Sequence, residues 1–251
     1  MTVKDDRAEF EAETRRHSLA MGQDVALFEE ARDMTVKAGQ HRYAYLWTWM
    51  GVPIIQMPSD IVVTQEIIWR TRPDVIIETG VARGGSLVFS ASMLAMIGSA
   101  GKVIGVDIDI RAHNRDTIEK HPMASRITLI QGSSVAPETV QRVKDEIPKG
   151  AKVMIVLDSD HSREHVLNEL RAYGPLVTKG QYLIVADTLL GRLRPDQTPK
   201  NQASVWLPGN EPLAGLNAYL KETDRFEPDD EINGKMIVSS SPGGYLKCVR
   251  E

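Results

Sequence analysis

The side chains best suited to chemistry fall in two short runs, Leu157-Asp-Ser-Asp-His161 and Val185-Ala-Asp187-Thr. Carboxylates ending two neighbouring strands can hold an oxygen-preferring dication such as Mg2+, which uses few protein carboxylates and completes its shell with water and substrate oxygens. A cation so placed binds substrate oxygens and lowers the pKa of a hydroxyl. His161, three residues after Asp158, then has the titration range of a general base. Its plain alternative is to cap the following helix or to donate to a carboxylate. The other histidines (17, 41, 113, 121 and 165) form no ligand-spaced cluster, which argues against zinc.

A second group is Val75-Ile-Ile-Glu-Thr-Gly-Val-Ala-Arg-Gly-Gly-Ser86. It reads as a buried strand ending at Glu78, a turn built on Gly80, Gly84 and Gly85, and a helix opening at Ser86. Backbone N–H groups at such a helix start point at an anionic or carboxylate-bearing ligand. The spacing is not the G-x-G-x-x-G dinucleotide fingerprint, and a glycine turn also serves simply to pack a helix close to its strand. Asp107 ends the next strand, where a carboxylate accepts from ribose hydroxyls. Ser133, after Gln131-Gly, is placed to meet a base edge. Each acid taken singly has helix capping as its explanation. Their recurrence on one sheet edge points to a nucleoside-binding site.

The elements that must position these groups alternate. Strands are expected at 75–78, 102–107, 127–131, 153–158 and 182–187, and helices at 86–97, 112–120, 137–146 and 162–173. Five apolar, β-branched strands alternating with helices predict a mostly parallel sheet covered on both faces, with its ligand at the carboxyl ends of the strands. Residues 1–42 form a helical arm of one or two helices, packed on the core domain or on a second subunit, and residues 43–251 form the main domain. The aromatic stretch 43–60 reads as an anchor on the sheet edge or as the wall of a pocket. It leads to a helix over 61–70 capped by Ser59 or Asp60. The polar, proline-punctuated stretch 191–208 follows the fifth strand and reads as a substrate lid. After a helix over 212–222, residues 236–239 and 245–249 are expected to close the sheet as an antiparallel hairpin.

Composition removes several classes of function. With 30 Lys+Arg against 34 Asp+Glu in 251 residues, the net charge is -4 and no basic cluster supports nucleic-acid binding. The one cysteine, Cys248, allows no internal disulfide and fits a reducing compartment. No apolar run is long enough to cross a bilayer, and the N-terminus lacks a signal core, so a cytoplasmic protein without a membrane partner is expected. The arm and the aromatic stretch suggest a homo-oligomer.

The motifs Glu78-Thr-Gly-Val-Ala-Arg-Gly-Gly-Ser86, Leu157-Asp-Ser-Asp-His161 and Leu183-Ile-Val-Ala-Asp-Thr188, with the stretch 49–60, resemble the cephalosporin hydroxylase and rhamnosyl O-methyltransferase family. The resemblance runs from about Tyr43. It implies a Rossmann-like class I methyltransferase dependent on S-adenosylmethionine (SAM), with a mostly parallel seven-stranded sheet and a C-terminal antiparallel hairpin, similar to the macrolide-sugar O-methyltransferases. By this resemblance Glu78, Gly80, Gly84, Gly85 and Ser86 hold the methionine part of SAM and Asp107 holds its ribose. Ser133 and Asp158 complete the cofactor-facing set. Asp158 and Asp187 would bind Mg2+, with His161 as the base. The family often carries two adjacent acids at the fifth strand end, and here the first is Ala186, so Asp160 or water must complete the metal site. The activity implied is Mg2+-assisted, SAM-dependent O-methylation of a small-molecule acceptor, either a rhamnosyl-type sugar or a polyketide-like natural product. Ala186 favours a different outcome, a non-catalytic SAM-binding partner subunit of a biosynthetic hydroxylase. Oxidation by the chain itself lacks a His-His-carboxylate triad for iron, and a dehydrogenase lacks its fingerprint.

Overall fold

The computed structural model describes residues 5–198 and 207–251. Two helices come first, α1 (Arg7–Gly22) and α2 (Val25–Gly39). Asp24 caps the second, accepting from the Leu27 N–H at 3.0 Å. A short hairpin, β1 (Trp47–Trp49) and β2 (Val52–Ile54), leads into α3 (Pro58–Thr71). The alternating region holds β3 (Val75–Thr79), α4 (Gly85–Met96), β4 (Lys102–Asp107), α5 (Ala112–Glu119), β5 (Ile127–Gln131) and α6 (Pro137–Asp145). It continues through β6 (Val153–Leu157), α7 (Arg163–Tyr173) and β7 (Tyr182–Val185). The chain closes with α8 (Pro212–Tyr219), β8 (Phe226–Pro228), α9 (Asp230–Lys235) and β9 (Tyr245–Cys248). No helix among the described residues is long and apolar enough to cross a membrane.

Seven strands form the main sheet in the order β5-β4-β3-β6-β7-β9-β8. The first five run parallel, while β9 is antiparallel to both β7 and β8. Every residue of β3, β6 and β7 is buried, as parallel strands sandwiched between helical layers require. Alternate residues serve opposite layers. Ile76 and Met154 pack with Ile67, Leu87 and Phe89 of α3 and α4, and Ile77 and Ile155 pack with Val143, Val166 and Leu170 of α6 and α7.

After β3 the chain builds β4 and β5 on one side and then crosses back to β6 on the other. The order therefore reverses between β3 and β6, and a crevice opens beyond their carboxyl ends. Three bonds extend the ladder and bring the tips level: Gly80 N–H to Val106 O at 2.8 Å, Asp158 N–H to Thr79 O at 3.0 Å, and Ala186 N–H to Leu157 O at 2.9 Å. Gly80 is demanded by this approach. Its φ is +91°, and a Cβ there would lie 1.8 Å from the Asp158 carbonyl oxygen.

Several expectations change at the periphery. The stretch 43–60 contains the β1–β2 hairpin, whose turn residues Met50 (φ 46°) and Gly51 (φ 86°) have the paired positive φ that suits a tight hairpin. Trp49 anchors it on α4, donating from Nε1 to Ser92 Oγ at 2.9 Å and meeting Phe89 edge-on at 4.9 Å. Neither Ser59 nor Asp60 caps α3. Pro58 opens the helix, Ser59 donates its hydroxyl to the Val238 carbonyl, and Asp60 turns inward. Residues 236–239 are not a strand. On the side of β9 away from β7 the antiparallel partner is β8, and Asp229 starts α9 between β8 and β9 by accepting from the Ile232 N–H at 3.0 Å. The segment 236–239 is drawn out of any ladder because Ser239 and Ser240 bond to Asp60 instead.

The arm packs on this domain through α9, where Ser18 donates its hydroxyl to the Glu231 carbonyl. The lid expected over 191–208 begins in a tight turn, Thr188–Arg192. Arg194 then grips Asp33 of α2 with two bonds at 2.9 and 3.1 Å, and Gln197 adds a third at 2.8 Å. Residues 199–206 of that stretch lie outside the described residues.

Gly80→Ala should cost more than about 3 kcal/mol, because a positive φ and a backbone clash act together. Gly150→Ala is the control: φ is +78° but nothing lies within 4 Å of the added Cβ, so the cost should stay near 1–2 kcal/mol for the conformation alone, about that of a left-handed L-residue. Urea midpoints of the two variants check the difference.

Candidate active site

Asp158 leaves β6 buttressed by Gly80, and the chain turns through Ser159 and Asp160 to His161 before α7 starts. Asp187 follows β7 with φ +53°, a left-handed conformation that swings its carboxylate across the crevice. Its Oδ2 lies 3.1 Å from His161 Nε2. One ligand-capable atom from each of Asp158, His161 and Asp187 lies within 4.8 Å of the others. Burial, and next the charge of Asp187, push the Asp158 carboxyl up to about 7. Two facing carboxylates, one reluctant to ionise, are what a bound cation relieves. Both supply hard oxygen donors, so this pair fits Mg2+.

Glu78, one residue before the end of β3, is almost wholly buried at 2% exposure. Burial pushes its carboxyl up to about 8, the Ser86 hydroxyl bonded to it opposes that shift, and Asp158 adds to it. Below the crevice Glu78 shares a small cavity of about 20 Å3 with Asp60, Asp158, Ala186 and Tyr245. Above it a cleft of about 270 Å3 is lined by Gly80, Gly84, Gly85, Ser86, Asp158, His161 and Asp187, with Tyr45, Gln56 and Ser240 on the far wall. The aromatic stretch is thus both anchor and wall.

Three expected residues stand elsewhere. Asp107 stands directly behind the cleft wall, bonded to the backbone of Val81 and Ala82, which line it. Oδ2 accepts from Val81 N–H at 2.8 Å and Ala82 N–H at 3.1 Å, and Oδ1 accepts from Asp109 N–H at 3.0 Å. Its visible work is to hold the glycine turn in shape. Ser133 also lies off the cleft, its carbonyl accepting from Ala136 N–H at 3.1 Å at the approach to α6. Asp160, expected as a completing metal ligand, is exposed and accepts from the Ser162 N–H at 2.8 Å, just before α7. Among the described residues His161, not Asp160, has a ligand-capable atom close to both carboxylates.

Asp60 is the main residue that sequence reading does not find. It is buried at 5% exposure and accepts from Ser239 Oγ at 2.5 Å, Ser240 N–H at 3.0 Å and Tyr245 Oη at 2.6 Å. Burial raises its pKa, and these bonds oppose that shift. It thereby fixes the Ser240 wall from α3. A signal existed: Asp60 shares the buried face of α3 with Val63 and Ile67, at helical spacing.

A parallel sheet with its order reversed at β3, an antiparallel pair at one edge and polar groups gathered on the carboxyl tips define a class I methyltransferase. The chain belongs to the rhamnosyl O-methyltransferase/CmcI family, which matches residues 41–249. A rhamnosyl O-methyltransferase of Mycobacterium leprae is 37% identical over 218 residues, covering 82% of this chain and 87% of the relative. One of Mycobacterium bovis is 33% identical over 221 residues, covering 82% of each. Among solved structures, apo CmcI superposes with a TM-score of 0.57 at 21% identity, and CmcI with Mg and SAM with 0.55 at 22%. Both comparisons cover 82% of this chain and 78% of the other, and at such identities they show a shared fold.

Glu78 holds its proton to about pH 8 in the folded chain, against 4.5 ordinarily. That contribution to stability is complete below about pH 4.5 and is lost as the pH rises through about 8. The ligand-free protein should therefore require less urea to unfold at about pH 8.5 than at about pH 5, and Glu78→Gln should flatten the trend. Denaturation curves at the two pH values test this.

Proposed function

We propose that this O-methyltransferase, which takes its methyl group from SAM, acts on a hydroxyl of a rhamnosyl-type sugar or a polyketide-like natural product, with His161 as general base. The observation that carries the reading is the 3.1 Å contact of His161 with Asp187, beside Asp158, on a cleft whose other wall is the glycine turn. The mycobacterial relatives support the sugar: both carry the name rhamnosyl O-methyltransferase.

The residues divide the work as follows. Asp187 accepts from His161 Nε2, orients the ring, leaves Nδ1 as the basic atom, and stabilises the imidazolium once the proton has moved. His161 takes the acceptor's hydroxyl proton as the oxygen forms its bond to carbon. The N–H groups at the start of α4, with Glu78 and Ser86 close by, receive the amino-acid end of the cofactor. SAM, when bound, supplies a methyl group made electrophilic by its sulfonium and leaves as S-adenosylhomocysteine. Mg2+ on Asp158 and Asp187 would bind the acceptor's oxygens and acidify the hydroxyl. The partner-subunit alternative rests on Ala186, which leaves Asp158 and Asp187 as the two carboxylates of the site; water or acceptor oxygens would complete the shell of a cation held there.

Exposed Tyr45, Leu46 and Met50 beside the β1–β2 hairpin support self-association of the chain.

His161→Ala should lower production of S-adenosylhomocysteine with a rhamnoside acceptor by about 100- to 10,000-fold, the usual worth of a positioned base. Asp158→Asn and Asp187→Asn should also lose turnover, and EDTA should reduce the wild-type rate. Unchanged rates in EDTA would remove the cation from this reading, and full activity of His161→Ala would remove the base.

A further inference from the structure

A carboxylate that no step above employs lies directly behind the catalytic turn. Glu169, on α7, has 0% exposure. Burying a carboxylate is costly, and an apolar residue of similar size usually serves a core better. Its Oε1 accepts the Ser159 hydroxyl at 2.7 Å and lies 3.4 Å from His165 Nε2. Its Oε2 is buried with no hydrogen-bond partner, an expense that asks for an explanation. His165 Nε2 in turn lies 3.2 Å from Ser159 Oγ and 3.0 Å from Ser134 Oγ. Tyr173 Oη donates to the Ser134 carbonyl at 2.8 Å, which fixes the other end of the chain of contacts.

The place of Ser159 gives this network its meaning. Ser159 stands between Asp158 and the last residues of the turn that presents His161. On one side the turn abuts Gly80, where a Cβ would come within 3.1 Å of the Ser159 Cα. On the other side its hydroxyl is held by Glu169. The turn is thus clamped between β3 and α7, and a carboxylate is the acceptor that grips a hydroxyl most strongly, since a charged partner roughly doubles the bond.

We propose that Glu169 is a positioning residue. Through Ser159 it sets where Asp158 and His161 stand in the cleft, and through His165 and Ser134 it ties that turn to the loop between β5 and α6. This rests on the reading of Asp158 and His161 as the catalytic pair. Core packing alone would leave the geometry of His161 indifferent to the Ser159 hydroxyl, and this separates the two explanations.

The test uses the full-length protein with Ser159→Ala, Glu169→Gln and the conservative Ser159→Thr. One readout is the 1H–15N signature of the His161 imidazole without cofactor or acceptor; the other is SAM turnover with methyl α-L-rhamnopyranoside. Ser159→Ala should shift the His161 signals and lower kcat by about tenfold or more, with KM for SAM within about threefold, because misplacement acts on the chemical step. Ser159→Thr should restore both readouts. Glu169→Gln keeps an acceptor for the hydroxyl but loses its charge, so it should fall between wild type and Ser159→Ala. The proposal is overturned by unmoved His161 signals in both folded variants, by kcat within about twofold of wild type, or by failure of Ser159→Thr to restore them. Should Ser159→Ala not fold, the isosteric Glu169→Gln decides by the same criteria. Should wild type turn over no rhamnoside, the sugar reading fails while the imidazole signals still judge the positioning role.

Discussion

Everything at this site depends on two stretches of backbone touching. The Gly80 Cα rests against the Asp158 carbonyl, with no room for even a methyl group between them. Glycine is needed twice over, for its positive φ and for its lack of volume. The contact joins the turn that faces the cofactor to the turn that carries Asp158 and His161, so binding and acid–base chemistry share one joint. The pairing of β3 with β6, where the strand order reverses, is what brings those turns together.

Around that joint the protein concentrates charge that burial disfavours. Glu78, Asp60 and Asp158 converge on one small cavity, and burial raises the pKa of each. Such a cluster is tolerated because each acid has its own donors or an opening to the cleft: Ser86 for Glu78, and Ser239, Ser240 and Tyr245 for Asp60. Of these three acids, Asp158 alone faces both the inner cavity and the cleft. It is the carboxylate whose remaining charge is left for something from outside to balance.

What the sequence discloses and what it hides follow from the range of each interaction. The five parallel strands were legible because each carries its apolar run locally, and the glycine turn because its residues are consecutive. Asp158, His161 and Asp187 could be grouped because parallel strands must end on one edge. Asp60 stayed hidden: its partners Ser239, Ser240 and Tyr245 lie about 180 positions away, and only the folded chain brings them near. The same long-range claim on Ser239 and Ser240 explains why residues 236–239, apolar enough for a strand, do not pair. For Asp107 and Asp160 the hidden part is local. Acids close to a turn or a helix start are readily taken by backbone N–H groups nearby, and both were.

The grip of Arg194 and Gln197 on Asp33 carries a consequence of its own. It joins the segment leaving the fifth parallel strand to a helix near the start of the chain, and it is made of partly exposed charges, with Asp33 held down at about 2. Dissolved ions weaken such a fastening while leaving the buried acids of the crevice largely untouched. Ionic strength is therefore a handle on how firmly the rim is tethered, separate from any effect on the groups that do the chemistry.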